Sequence, residues 1–355
     1  MEISVRNSTL PKMLEICKKH KRSELHKEEL EEILEHDDYK VEFDRYNSGD
    51  NPRGGFSKEE YVEFFMNLFS LDVNEIKNER LKLRYKDLKY FFDHLDYYEA
   101  QVKRLNEITE KQILEALKYT FKGLPESIKF ERLDFIFSVG LGNSGGWFHK
   151  SYSHYDIVHY LKAFDLDIIM HTIAHEIHHV GFLKFIETLK IEENLTPEEN
   201  LFLFLAFEGL AVKYCNNGEG NLTSRIYKNE VPNIGLDKLT WNYLNSDFDN
   251  IFNNFKTQVK KLISKETADV NQLISDYWLS LHSSEQDKSE LPKLKHSRNY
   301  SLGNNLWGLI HDVYGKEKVF ETIQDLSKFT EVLNPALERI GRKDLNIMLA
   351  RGGDY

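Results

Sequence analysis

Apolar residues along most of the chain recur at the three-to-four spacing of helices, and one short stretch departs from it. Leu10 to about Glu35 reads as one or two charged helices. Lys58 to Phe69 reads as another, with Tyr61, Phe64, Phe65, Leu68 and Phe69 on one side. Between them Asn47 to Gly55, rich in Asn, Gly and Asp with one Pro, is a loop. Val73 to Leu105 continues as a long helical stretch, apolar at Leu81, Leu83, Leu88, Phe91, Phe92 and Leu95, and Gln112 to Phe121 follows. At Phe135 the period becomes two. Phe135, Phe137, Val139 and Leu141 alternate with Ile136, Ser138 and Gly140, which predicts a strand ending in Gly142-Asn143-Ser144-Gly145-Gly146. Tyr155 to Leu161 is a second predicted strand. The two are either a plain hairpin or a sheet edge able to hold an extended peptide by main-chain hydrogen bonds.

The apolar helical run from Asp167 to Leu189 carries His175, Glu176, Ile177, His178 and His179 in its middle, with Ile169, Ile173, Ile177 and Val180 periodic around them. Residues four apart on a helix share a face, with Cβ atoms about 5–6 Å apart, so His175 and His179 can aim at one ion. Glu176, one step round, can reach a water on that ion rather than the ion itself. That is the arrangement of a zinc hydrolase. His171 also lies four residues from His175, but at 1.5 Å per residue it is about 12 Å along the axis from His179, too far to share the ion. His178 points about 300° round the helix from His175, at about 100° per residue, and flanks a ligand instead of pairing with it.

Thr196-Pro197-Glu198-Glu199 is a capping box with proline at the first helical position. The helix it opens is apolar through Leu201, Phe202, Leu205, Ala206, Leu210 and Val212 and stops at Asn216-Asn217-Gly218. Glu208 interrupts it. A carboxylate there is costly to bury without a partner, and a metal is such a partner; a Lys or Arg from elsewhere is the alternative. Farther on, Leu236 to Leu244, Ile251 to Ile263 and Ala268 to Leu281 read as helices, His282 to Lys295 as an exposed loop, and Tyr300 to Asn305 as the lead into a helix through Leu306, Leu309, Ile310, Val313 and Tyr314.

The 355 residues suffice for about two domains or one large one, and 41% hydrophobic with 30% charged residues is a globular composition. A net charge of −11 argues against nucleic acid as a partner. The basic cluster Lys18, Lys19, Lys21 and Arg22 runs directly into the acidic stretch Glu24 to Asp38, the pattern of a solvated helix face. No apolar run nears the ~20 residues of a membrane span, and the N-terminus has no secretory pattern. Cys17 and Cys215, far apart in apolar surroundings, suggest buried thiols in a reducing, cytoplasmic setting.

His175-Glu176-x-x-His179 followed by Glu208-Gly209-Leu210-Ala211 resembles the gluzincin type of zinc metallopeptidase, above all the predicted bacterial zinc-dependent protease families whose second motif reads Glu-Gly-x-Ala. The resemblance covers roughly Phe135 to Lys328. It implies an α+β, predominantly helical fold, with a zincin-like catalytic core and a small sheet above the active-site helix. It further implies one Zn²⁺ held by His175, His179 and Glu208, Glu176 as general base, and a Tyr or His from a C-terminal helical segment as oxyanion donor. Tyr300 matches that placement, ahead of His296 and His311. The organisation expected is a helical N-terminal region over 1–125, the metallopeptidase domain over 126–340 and a tail over 341–355. The expected activity is hydrolysis of peptide bonds in a peptide or protein substrate. Two rivals stand beside it: a degenerate peptidase fold that binds without turnover, and a helical structural protein in which the motif is accidental.

Overall fold

A computed structural model describes residues 1–48, 54–142, 144–149, 152–162, 164–191, 195–230, 232–234, 238–266, 269–274 and 298–348. The predicted helix over Ala268 to Leu281 lies largely outside them, and the predicted loop over His282 to Lys295 wholly so. The protein is predominantly helical with one small mixed sheet, an α+β fold. It divides into two compact units, Met1–Glu115 with Phe130–Glu176, and Ala116–Lys129 with Ile177–Tyr355.

The first unit opens with strand β1 (Glu2–Arg6) and continues through helices α1 (Thr9–Lys21), α2 (Lys27–Leu34), α3 (Asp37–Asn47), α4 (Lys58–Met66), α5 (Glu79–Asp93) and α6 (Leu95–Leu105). The stretch read as one helix over Val73 to Leu105 is broken at His94, which ends α5 and precedes α6. Helix α7 (Glu110–Lys122) spans the boundary in sequence between the two units. Strands β2 (Arg132–Ser138), β3 (Gly146–His149) and β4 (Tyr152–Asp156) complete a sheet of order β1-β2-β4-β3. Within it β1 and β4 run parallel to β2, and β3 runs antiparallel to β4 along one edge. Leu133 to Ser138 are all buried, as a central strand covered on both faces requires.

The predicted strand over Tyr155 to Leu161 holds only for Tyr155 and Asp156. Pairing stops at Asp156, where the chain turns into a four-residue helix, α8 (Ile157–Tyr160). Asp156 is the reason. Its Oδ1 accepts hydrogen bonds from Val158 N (3.1 Å), which starts the helix, and from Gly140 N (2.9 Å). Arg84 donates to its Oδ2 at 2.6 Å and also reaches the Gly140 carbonyl, and both charged side chains are fully buried. Nearby, Glu42 accepts from Leu141 N at 2.8 Å, and His154 Nε2 lies 2.7 Å from Ser138 Oγ. A local period cannot foresee a strand cut short by a buried ion pair from another element.

Helix α9 (Leu166–Leu189) is continuous, although the division into units falls inside it, after Glu176. Asp165 Oδ1 caps it by accepting from Asp167 N (2.9 Å) and Ile168 N (3.2 Å). In the second unit α10 (Pro197–Cys215) begins with the expected capping box. Glu199 N donates to Thr196 Oγ1 (3.3 Å), and Thr196 N donates to Glu199 Oε2 (2.9 Å). It ends at Asn217, whose φ of 52° is left-handed and whose side chain bonds both the N–H and the carbonyl of Tyr227. Then come α11 (Lys238–Ser246), α12 (Phe248–Ile263), α13 (Val270–Leu273), α14 (Arg298–Tyr314), α15 (Lys316–Gln324) and α16 (Phe329–Arg339). Helix α14 starts at Arg298, so Tyr300 to Asn305 form its first turns rather than a lead into it.

Helices α10 and α14 form the spine of the second unit. A Cβ added to Gly209 would stand 2.1 Å from the backbone carbon of Gly303, so the two backbones touch where neither residue has a side chain. Trp307 donates its indole N–H to the Phe202 carbonyl at 3.1 Å, and Phe202 stacks on Phe329 at 4.3 Å between ring centroids. Among the described residues no helix is long and apolar enough to cross a membrane.

Candidate metal centre

Helix α9 is apolar nearly all round, and its buried positions include Ile169, Ile173, Ala174, Ile177, Phe182 and Ile186. Three histidines are buried among them, and each must meet a polar group or lose its solvation without return. His178 meets the Gly123 carbonyl through Nε2 at 3.0 Å, with Phe182 and Tyr214 stacked against its ring. It is a structural residue, turned away from its two neighbours in the motif. His175 and His179 face a different partner.

One ligand atom from each of His175, His179 and Glu208 lies within 4.8 Å of the other two. Glu208 Oε2 is 3.3 Å from His179 Nε2, and Phe207 stacks on the His179 ring at 4.8 Å with an interplanar angle of 12°. The Glu208 side chain is 21% exposed against 4% for His179, so the carboxylate forms the open side of the cluster. Its position follows from the backbone contact of α10 with α14: Gly209, the next residue, can only press on Gly303 with Glu208 turned to the flank.

The donor set fits a zinc ion. Two nitrogens and a carboxylate oxygen are the ligand types that zinc takes, and ligands about 2.1 Å from a tetrahedral ion stand about 3.4 Å apart. The 3.3 Å pair meets that spacing.

Glu176 is half-buried on the same helix, one residue past His175. Its Oε1 packs against Gly146, the first residue of the edge strand β3, where an added Cβ would lie 2.9 Å from that oxygen and 2.7 Å from Tyr160 Oη. Burial, with the Glu176 charge second, pushes the Tyr160 hydroxyl well above the ordinary tyrosine range, so it stays protonated. Sequence reasoning missed Tyr160. The glycine pair Gly145-Gly146 was the one signal that something approaches closely there.

Tyr300 is half-buried on the first turn of α14, one turn before Gly303 and thus on the helix packed against the residue that follows Glu208. His296 lies outside the described residues. His311 is far along α14, bonded to Asp312 at 3.1 Å and edge-on to Tyr214. Cys17 and Cys215 are both free and buried, and burial pushes both thiols up, so they are inert.

No curated protein and no solved structure matches the chain. A family model does match, over residues 30–340, which takes in the polar cluster of the first unit as well as the whole of α9, α10 and α14. With a His-His-Glu cluster of zinc-ligand type inside that span, the chain belongs to the family described as "Putative zinc dependent peptidase (DUF5700)".

Proposed function

We propose that the protein is a zinc-dependent peptidase of gluzincin type, with His175, His179 and Glu208 as ligands of one zinc ion and Glu176 as general base. The observation that carries the reading is the approach of Glu208, from a separate helix, to within 3.3 Å of the second motif histidine. Zinc, when bound, supplies Lewis acidity toward a carbonyl oxygen and a water acidified toward a pKa of about 7.

The rest is the work of the chain. Glu176, held beside Gly146, takes a proton from the attacking water and passes it to the leaving nitrogen, the role of a positioned carboxylate. The edge strand β3 offers its main-chain groups to an extended peptide next to that carboxylate. Tyr300 is assigned as donor to the oxyanion, supported by its place on the helix against Gly209.

The test combines metal analysis with turnover. The purified wild type should carry one equivalent of zinc and cut an unfolded protein such as casein. Glu208→Ala should lose most of the metal, and Glu176→Gln should keep it while losing hydrolysis by about 10²–10⁴-fold. A wild type with well under one equivalent of zinc, and a Glu208→Ala variant of unchanged metal content, would make the motif accidental. Full zinc with peptide binding and no turnover would leave a binding module on a peptidase fold.

A further inference from the structure

The edge strand β3 has two faces, and the mechanism above uses one of them. Gly146 looks toward helix α9, since a Cβ there would meet Glu176 Oε1 at 2.9 Å and the Thr172 methyl group at 3.3 Å. Successive residues of a strand alternate in direction, so Trp147 and His149 look the other way. Helix α3 meets them there: Arg45 lies over the Trp147 ring, and Asp44 Oδ2 is 3.0 Å from His149 Nε2. Glu176 and Arg45 therefore stand on opposite faces of the same strand, against consecutive residues.

Arg45 is half-buried and held in place without being neutralised. Its guanidinium carbon is 4.8 Å from the centre of the Tyr46 ring and 5.1 Å from that of Trp147, and Nη1 donates to Ser144 Oγ at 3.4 Å. Among the described residues it forms no ion pair, and the carboxylate next to it in sequence, Asp44, is turned to His149. The indole N–H of Trp147 is buried and also lacks an acceptor among the described residues. Arg84, elsewhere in the same unit, is by contrast matched by Asp156. A planar cation fixed between aromatic rings, with most of its donors unspent, is suited to a carboxylate that the chain itself does not supply.

Strand register carries the argument to the substrate. Asp156 N donates to the Gly145 carbonyl at 2.7 Å, and Gly146 is level with Tyr155. Bonded positions alternate along an antiparallel pair, so Gly145 and Trp147 spend their main-chain groups on β4, while Gly146 and Phe148 turn theirs to the free edge. In a peptide added along that edge, the residue level with Gly146 turns its side chain to the Glu176 face. Its neighbour, level with Trp147, turns to the Arg45 face. Resting on the peptidase reading, we infer that Arg45 determines specificity, receiving the side-chain carboxylate of an Asp or Glu next to the bond that is cut.

The test uses C-terminally amidated peptides that span a bond the wild type cuts in casein and differ only in carrying Glu, Gln or Lys at a residue flanking that bond. At one flanking position the wild type should prefer Glu to Gln by about tenfold in kcat/KM, the scale of a hydrogen bond between charged groups, with Lys below both. Arg45→Met keeps the stem against the rings and should bring Glu and Gln to parity, with zinc content unchanged. Arg45→Lys keeps the charge without the fork and should retain a preference of about threefold, which carries the test if the Met variant does not fold. Arg45→Glu should invert the order, so that the Lys peptide leads. Equal wild-type rates on the Glu and Gln peptides overturn the role of Arg45 and leave Glu176 and the metal ligands in place. So does a preference that survives in Arg45→Met, or one that appears only when the terminal carboxylate is left free. A zinc-loaded wild type that leaves casein intact overturns the peptidase reading and this inference with it.

Discussion

The protein buries two sets of charged and polar side chains, and they are built on opposite terms. In the first unit Arg84, Asp156, Glu42, His154 and Ser138 sit at or near zero exposure, with Arg84 bonded to both Asp156 oxygens and Glu42 anchoring the backbone of Leu141. Positive and negative charges are matched inside the fold. In His175, His179 and Glu208 two imidazoles face a carboxylate, all three able to offer lone pairs, and Glu208 keeps contact with solvent. A set shut away from solvent around a buried ion pair serves the fold. A set of donors facing each other with one open side is of the kind that could hold a metal ion.

Breaking the closed set should cost the most. Arg84→Met leaves Asp156 buried without its cation and should lower the unfolding free energy by about 3–5 kcal/mol in urea, whereas Glu208→Gln in metal-free protein should cost less than about 1 kcal/mol. Similar values for the two variants would erase the distinction. Next comes the spine that sets Glu208. Gly209→Ala puts a methyl group against the Gly303 backbone, and overpacking of this kind costs about 1–3 kcal/mol, read as a lower melting temperature together with weaker zinc binding. Loss of stability with unchanged zinc affinity would separate the helix crossing from the site.

The closed set also titrates. Burial, against the hydrogen bonds from Leu141 and Gly142, raises the Glu42 carboxyl from an ordinary 4.5 to about 8. Between those values the folded protein keeps a proton that the unfolded chain has released. Stability therefore falls as pH rises through that window, by at most about 1.4 kcal/mol per unit, and levels off above it. Glu42→Gln should flatten this decline in unfolding curves from pH 5 to 9. The smallest change in stability is expected at the open site. Gly146→Ala presses on the side-chain ends of Tyr160 and Glu176 and on the Thr172 methyl group at 3.3 Å, with no backbone among these contacts, so melting should move little. Peptide turnover should still fall about tenfold with zinc retained, because misplacing a reacting group costs rate rather than fold.

Much of the site was legible because it is local. His175 and His179 share a face by helical geometry alone, and the capping box at Thr196 to Glu199 announced α10, on which Glu208 was the one carboxylate in an apolar run. What could not be read depends on residues far apart in sequence. The parallel pairing of β1 with β2 joins Ile3 to Leu133, and no periodicity in either segment names its partner. The turn at Asp156 was taken for strand because Arg84, its ion-pair partner, lies 72 residues away. Helix α3 carries three of the groups that matter to the first unit, Tyr39, Glu42 and Tyr46, yet the sequence there is polar enough to have passed without assignment.

By itself the sequence determined which side chains could hold a metal, since ligand chemistry and helical spacing are properties of a dozen neighbouring residues. The tertiary structure alone decided that Glu208 approaches His179, that the Tyr160 hydroxyl and the Glu176 carboxylate meet in the space Gly146 leaves without a side chain, and that Arg84 neutralises Asp156 in the other polar set. Those outcomes depend on where separate elements cross, and crossing points are set by packing over the whole chain.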